Sequence, residues 1–162
     1  NQVWSTDITY IKTASGTVYL AAIIDWHSKA VLSWDISNTM DSSLVMRVLD
    51  DAIDKFGIPE IFNTDQGSQY TSYVHTQKLK DHGVIISMDG KGRATDNICI
   101  ERFWRSAKCE RIYLNEYKSL PDLRLDVADY IDFYNNRRFH ESINYEKPMT
   151  FYWENLDEKK VA

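Results

Sequence analysis

The segment VWSTDITYIKTASGTVYLAAIID, residues 3–25, contains two runs of β-branched and aromatic residues separated by a turn around Ser15 and Gly16. The runs cover 3–11 and 17–25, and a third run, AVLSWDIS at 30–37, follows after a short polar stretch. Strand-like runs joined by short turns are typical of an antiparallel meander. The first 37 residues therefore predict three consecutive antiparallel strands.

Helical and strand patterns alternate after this meander. Asp41 is placed to cap a helix whose apolar residues recur at helical spacing as far as Phe56, and Gly57 and Pro59 end it. The further elements that the patterns predict are strands at 60–63 and 84–88, a helix at 71–82, a mobile loop at 89–95, a helix from Asp96 and a last helix from Ser119 to about Asn135. This order predicts an α/β fold with a mixed five-stranded sheet and helices on both faces.

Length and composition indicate one domain over residues 1–162, with 43% hydrophobic and 27% charged residues. No apolar run approaches the ~20 residues of a membrane-spanning helix, and no signal segment is visible, so we expect no membrane partner. Cys99 and Cys109, the only cysteines, fit a reducing compartment. We therefore expect a cytoplasmic protein.

The charge distribution is uneven. The net charge of −5 argues against a nucleic-acid partner. Residues 1–90 carry 6 basic and 11 acidic residues, however, whereas residues 91–111 carry 6 basic and 3 acidic residues. This basic segment is either a solvated helix face or a surface for phosphate groups.

Three carboxylates are candidates for chemistry. Asp7 lies within the first strand, Asp65 follows the fourth strand in IFNTDQGSQY at 61–70, and Glu101 lies at the edge of an apolar helix face. Alone, Asp65 is more often a turn residue and Glu101 a surface acid, and the turn after the second strand accounts for a fourth acid, Asp25. Together the three would repel one another unless a hard cation such as Mg²⁺ or Mn²⁺ intervened. Two such ions ~3.5–4 Å apart can promote phosphoryl displacement without a protein nucleophile.

Four stretches carry a resemblance to a known family: WSTDITYI, NTDQGSQYTS, SMDGKGRATDNICIERFWRSAKCE and FYNNRRFHESINYEKP. In this order, with 35 residues between Asp65 and Glu101, they resemble the integrase catalytic core of bacterial insertion-sequence transposases. These are relatives of retroviral integrase with a ribonuclease-H-like fold. The resemblance covers essentially the whole chain. This chain differs from many relatives at Asn63-Thr64, Ile98 and Phe139.

The resemblance implies that Asp7, Asp65 and Glu101 form the catalytic metal-binding triad of a DDE enzyme. The cofactor would be Mg²⁺ or Mn²⁺, with two ions when DNA is bound. The implied reaction is hydrolysis of a phosphodiester at a transposon end, after which the freed 3′-OH attacks another DNA strand. The partners would be transposon-end and target DNA, in a homo-oligomeric complex. The expected DNA-binding residues are Lys91, Arg93, Asn97, Arg105, Lys108 and Arg138.

Two alternatives stay open from the sequence: a metal-dependent nuclease of the same fold, and a catalytically silent DNA-binding remnant. The family's helix-turn-helix region is expected to be absent from this chain, which leaves a catalytic core. His27, His75 and His82 show no ligand spacing and are predicted to lie at the surface, whereas His140 is as well suited to a structural role as to DNA contact. The five tryptophans, Trp104 included, are expected mostly in the core or at interfaces.

Overall fold

The computed structural model describes residues 1–88 and 97–161, with side chains described as far as residue 156. Five strands form a single sheet in the order β3-β2-β1-β4-β5. Their bounds are β1 Val3–Thr13, β2 Gly16–Asp25, β3 Val31–Ser37, β4 Ile61–Thr64 and β5 Ile85–Met88. The predicted loop at 89–95 lies outside the described residues.

The sheet is mixed, as the sequence predicts. β1 pairs antiparallel with β2, and β2 antiparallel with β3, so the predicted meander is confirmed. β4 pairs parallel with both β1 and β5. Because β1 is flanked by β2 and β4, the strand that carries Asp7 lies at the centre of the sheet.

Within residues 1–88 and 97–161, six α-helices surround the sheet: α1 Ser42–Phe56, α2 Ser68–Thr71, α3 Tyr73–Asp81, α4 Ile98–Glu110, α5 Leu120–Asn136 and α6 Pro148–Val161. The helix predicted at 71–82 is confirmed as α3, but it begins only at Tyr73. Ser72 takes an extended backbone (φ −57°, ψ 144°) that separates α3 from the short helix α2, which the sequence did not predict. The sequence also missed α6. Its apolar residues do not form a continuous stripe, and only Pro148 at its first position marks a helix start.

Alternate residues of β2 face two separate cores, which places helices on both faces of the sheet. Leu20, Ala22 and Ile24 belong to a core that includes residues of α4 and α5. Ala21 and Ile23 belong to a second core with residues of α1, α3 and α6. The period of two along a strand explains this division. No helix in the described part of the chain is long and apolar enough to span a membrane.

Candidate active site

The pairing of β1 with β4 brings two of the predicted acids to one level of the sheet. Val3 pairs with Ile61 and Ser5 with Asn63, so that partners are 58 positions apart. Asp7 and Asp65 are separated by the same 58 positions. Since neighbouring strands lie ~4.8 Å apart, this register places Asp65, just beyond the end of β4, beside Asp7 on β1.

Asp7 is half-buried, and its carboxyl group has an unusual protonation equilibrium. Burial, together with the negative charges of Asp65 and Glu101, raises the pKa of Asp7 to about 6. Hydrogen bonds from the Ile8 backbone and from Trp104 Nε1, at 3.0 Å, oppose this rise. Because the charges of Asp65 and Glu101 affect the pKa of Asp7, both acids lie close enough to interact electrostatically with its carboxyl group.

The backbone after β4 folds back on the Asp65 carboxylate. The Gly67 N–H donates to Asp65 Oδ1 at 2.7 Å. Gly67 has φ −60° and ψ 146°, which any residue can adopt, so its special φ/ψ range is not needed here. A Cβ at this position would lie 2.8 Å from Asp65 Oδ1. Glycine therefore permits this close approach, because a side chain at position 67 would push the Asp65 carboxylate aside.

Glu101 lies in the first turn of α4, with its side chain exposed. Trp104 and Lys108, three and seven residues later, share its side of the helix. Both reach the surroundings of Asp7. The Trp104 indole N–H donates to the Asp7 carboxylate, and the charge of Asp7 favours the protonated form of Lys108. Burial lowers the pKa of Lys108, and Asp7 opposes that change. One side of α4 thus presents an acid, an indole donor and a cation towards β1.

A buried hydrogen-bonded group lies beneath the two aspartates. The Tyr70 hydroxyl and Thr6 Oγ1 are 3.1 Å apart, and Thr6 Oγ1 donates to the Ala22 carbonyl at 2.9 Å. His75 is 1% exposed and packs against Tyr70 and Phe62, with ring centroids 5.4 and 5.8 Å away. This burial lowers the pKa of His75 to about 4.

The prediction of a surface His75 is therefore wrong, because α3 turns the imidazole inwards under α2. Sequence reasoning also missed the polar roles of Tyr70 and Trp104. For Trp104 the available signal was its position one helical turn after Glu101, whereas nothing in the sequence distinguishes Tyr70.

The other predicted residues have different environments. Lys91 and Arg93 lie outside the described residues. Asn97 is buried at 6% exposure, and its carbonyl accepts from the Glu101 N–H at 3.2 Å, whereas Arg105 is exposed. Arg138 forms a two-pronged ion pair with Glu110, with N–O distances of 2.6 and 3.0 Å. This pair ties the segment after α5 to the end of α4, so Arg138 is engaged within the protein.

Asp25 has the local explanation that the sequence suggested. It is 1% exposed, and its Oδ2 accepts from Ser28 N at 2.8 Å and from Ser28 Oγ at 2.7 Å. The carboxylate therefore closes the turn after β2. Across residues 1–88 and 97–156, no three histidine, cysteine, aspartate or glutamate side chains form a ready-made metal cluster. Of the three predicted acids, Asp7 and Asp65 are the two that the register of β1 and β4 brings close together.

Comparison with known families gives two matches, each to a family model described as integrase core domain. The first covers residues 1–94 and the second residues 82–148. The chain is 36% identical over 155 residues to the transposase for insertion sequence element IS904 of Lactococcus lactis subsp. lactis (strain IL1403), covering 93% of this chain and 61% of that protein. It is 38% identical over 159 residues to transposase InsF for insertion sequence IS3A of Escherichia coli (strain K12), covering 96% and 55%. The chain thus spans 55% to 61% of the length of these relatives.

Solved structures show the same fold at low identity. The catalytic core domain of BIV integrase superposes with a TM-score of 0.78 at 16% identity, covering 98% of both chains. The HTLV-2 integrase catalytic core domain in complex with magnesium, in its dimeric form, gives a TM-score of 0.72 at 20% identity, covering 92% of this chain and 94% of that one. The predicted ribonuclease-H-like fold is confirmed by these likenesses.

Proposed function

Since the chain belongs to the integrase core domain family, we propose that it is the catalytic core of an insertion-sequence transposase. The substrate class is DNA at a transposon end, where one phosphodiester is hydrolysed. The freed 3′-OH is then joined to a phosphate of target DNA. Asp7, Asp65 and Glu101 are the residues that we propose for this chemistry.

The observation that supports this proposal best is the pairing of β1 with β4, whose register brings Asp65 close to Asp7. Asp7 and Asp65 share one level of two paired strands, and Glu101 on α4 acts electrostatically on Asp7. Repulsion among three carboxylates destabilises the ionised site unless a cation is bound. A site used only for folding would have no need of this arrangement.

The donor set fits a hard divalent cation, Mg²⁺ or Mn²⁺. Both are bound by carboxylate oxygens and retain several water molecules. Asp7 and Asp65 would hold the ion, and Glu101 would join them by a change of its exposed side chain. When bound, such ions polarise the phosphoryl group and stabilise the attacking and leaving oxygens.

The chain's own residues prepare this site. Trp104 donates to one oxygen of Asp7, and the Gly67 N–H donates to one oxygen of Asp65, so one edge of each carboxylate is oriented. Lys108 supplies a positive charge close to Asp7, at a place suited to a phosphate of the bound strand. Because the pKa of Asp7 is about 6, this carboxyl group loses its proton just below neutral pH, when a cation can replace it.

The partners that we propose are transposon-end DNA, target DNA and further copies of the chain. The HTLV-2 integrase core has been solved as a dimeric form and a trimeric form. Joining two DNA ends to one target also requires more than one active site. We therefore expect a homo-oligomer in the active complex.

A Mn²⁺ soak of the crystallised chain tests the metal site, and a strand-transfer assay on a transposon-end duplex tests the activity. We expect metal density between Asp7 and Asp65, and loss of strand transfer in Asp65→Asn with an unchanged unfolding temperature. The matched control is Asp81→Asn, which removes an exposed carboxylate at the end of α3 that accepts a hydrogen bond from Gln77. Full strand transfer by Asp65→Asn would refute the role of Asp65.

A further inference from the structure

A basic cavity lies beside α4, on a flank of the helix that does not face Asp7. It has a volume of about 280 Å³, just below the ~300–1,000 Å³ of pockets for drug-sized ligands. Its polar lining residues include Lys29, Arg102, Arg105, Tyr134, His140 and Ser142, and no carboxylate lines it among the described residues. The cavity thus combines three cationic side chains with hydroxyl groups and an imidazole. This composition suits a small anionic group.

The two arginines of this cavity differ from the other arginines of the described chain. Five of the seven described arginines, Arg47, Arg111, Arg124, Arg137 and Arg138, pair with carboxylates. Within residues 1–88 and 97–156, Arg102 and Arg105 have no such pair. Each guanidinium carries five N–H donors in a planar fork that matches phosphate oxygens. The guanidinium donors of both arginines are therefore available to an anion.

His140 contributes an independent sign of a missing acceptor. Its Nδ1 lies 3.3 Å from Arg138 Nη1, and the ring also interacts with the Tyr134 backbone. Because arginine only donates, the contact with Arg138 favours Nδ1 as the acceptor and Nε2 as the protonated nitrogen. Nε2 is buried without a hydrogen-bond partner among the described residues. An unpaired buried donor costs about 1–3 kcal/mol, and a phosphate oxygen in the cavity would remove that cost.

The position of the cavity relates it to the proposed active site. Consecutive helix residues are ~100° apart, so Arg102 lies a little more than a quarter turn around α4 from Glu101. Arg105, four residues after Glu101, lies ~40° from it around the helix, so the cavity borders the side of α4 that presents this acid.

We propose that this cavity binds a backbone phosphate of DNA a few nucleotides from the phosphodiester that is cleaved. This inference rests on the proposed function, since it takes DNA as the substrate. Arg102 and Arg105 contact the phosphate oxygens, and the Nε2–H of His140 donates to one of them. The cavity thus anchors the strand while α4 presents Glu101 to the reacting bond.

NMR titration of the 162-residue chain with inorganic phosphate, at constant ionic strength, tests the anion site. We expect saturable shifts of the His140 ring nitrogens and of Arg102 Nε, which Arg102→Gln weakens at least threefold. Arg47→Gln, which removes the same charge from α1 on the other face of the sheet, serves as the matched control and should change nothing. Absence of saturable shifts, or equal weakening by both variants, would overturn the site.

A second titration with a short DNA duplex identifies the source of the phosphate. We expect the same resonances to shift, and the slope of log affinity against log salt to fall by ~0.9 in Arg102→Gln, as for one lost phosphate contact. Phosphate binding without a DNA-induced shift at His140 would overturn the assignment to DNA. Mn²⁺-induced broadening at Asp7, measured in the same samples, reports separately on the proposed metal site and is expected to persist in Arg102→Gln.

Discussion

Replacement of Asp7 by asparagine should stabilise the metal-free protein at neutral pH. The carboxyl group of Asp7 has its ordinary pKa of 3.8 in the unfolded chain and about 6 in the folded protein. The folded state therefore binds this proton more tightly than the unfolded chain does. The stabilisation from this tighter binding is fully present below pH 3.8 and is lost as the pH rises through 6. Asparagine retains an acceptor oxygen for the Trp104 indole but has no charge to bury.

The magnitude follows from the difference between these two pKa values. At about 1.4 kcal/mol per pH unit, with an allowance for solvent at a half-buried site, ionised Asp7 costs the folded state about 2–3 kcal/mol. Asp7→Asn should exceed the wild type in free energy of unfolding by about this amount at pH 7.5. The difference should shrink to about 0.5 kcal/mol at pH 4, where Asp7 is protonated in the folded protein and about half ionised in the unfolded chain.

Urea denaturation in EDTA at several pH values from 4 to 7.5 measures this difference. Mg²⁺ then provides the second arm, since a ligand at 100 times its Kd stabilises by ~2.7 kcal/mol. Mg²⁺ should stabilise the wild type and not Asp7→Asn, which cancels the advantage of the variant. A difference that does not vary with pH, or equal stabilisation of both proteins by Mg²⁺, would refute the reasoning.

Three further substitutions test the surroundings of the site. Trp104→Phe removes a hydrogen bond that lowers the pKa of Asp7, so NMR titration of the carboxyl carbon should give a pKa above that of the wild type; an unchanged value would contradict the contact. Tyr70→Phe removes the hydroxyl beside Thr6 and should cost about 0.5–1.5 kcal/mol in urea denaturation, with strand transfer reduced if this group positions β1. Asn135→Ala leaves the Val31 N–H and carbonyl without their partners at 2.9 and 2.8 Å and should cost about 2–4 kcal/mol; a loss below 0.5 kcal/mol, on the order of a typical surface change, would contradict this.

Local patterns were sufficient for most of the sheet. The runs at 3–11, 17–25 and 30–37 alternate or remain apolar over strand lengths, and each forms a strand within two residues of its predicted bounds. The break at Ser72 and the helix α6 were not predictable in the same way. Ser72 is compatible with a helix by composition, and α6 is held against the second core by residues distant in sequence, such as Tyr152.

The properties of the three acids likewise fall into those that the sequence predicts and those that depend on the tertiary structure. Asp7, Asp65 and Glu101 were identifiable from residue type, spacing and family resemblance, because strand ends and helix faces are local features. The raised pKa of Asp7, the indole hydrogen bond from Trp104 and the inward position of His75 depend on which elements pack together. Sequence alone thus determined the family, the sheet and the identity of the acids. Only the tertiary structure decided their electrostatics and their supports, because burial and hydrogen bonding arise between segments that are far apart along the chain.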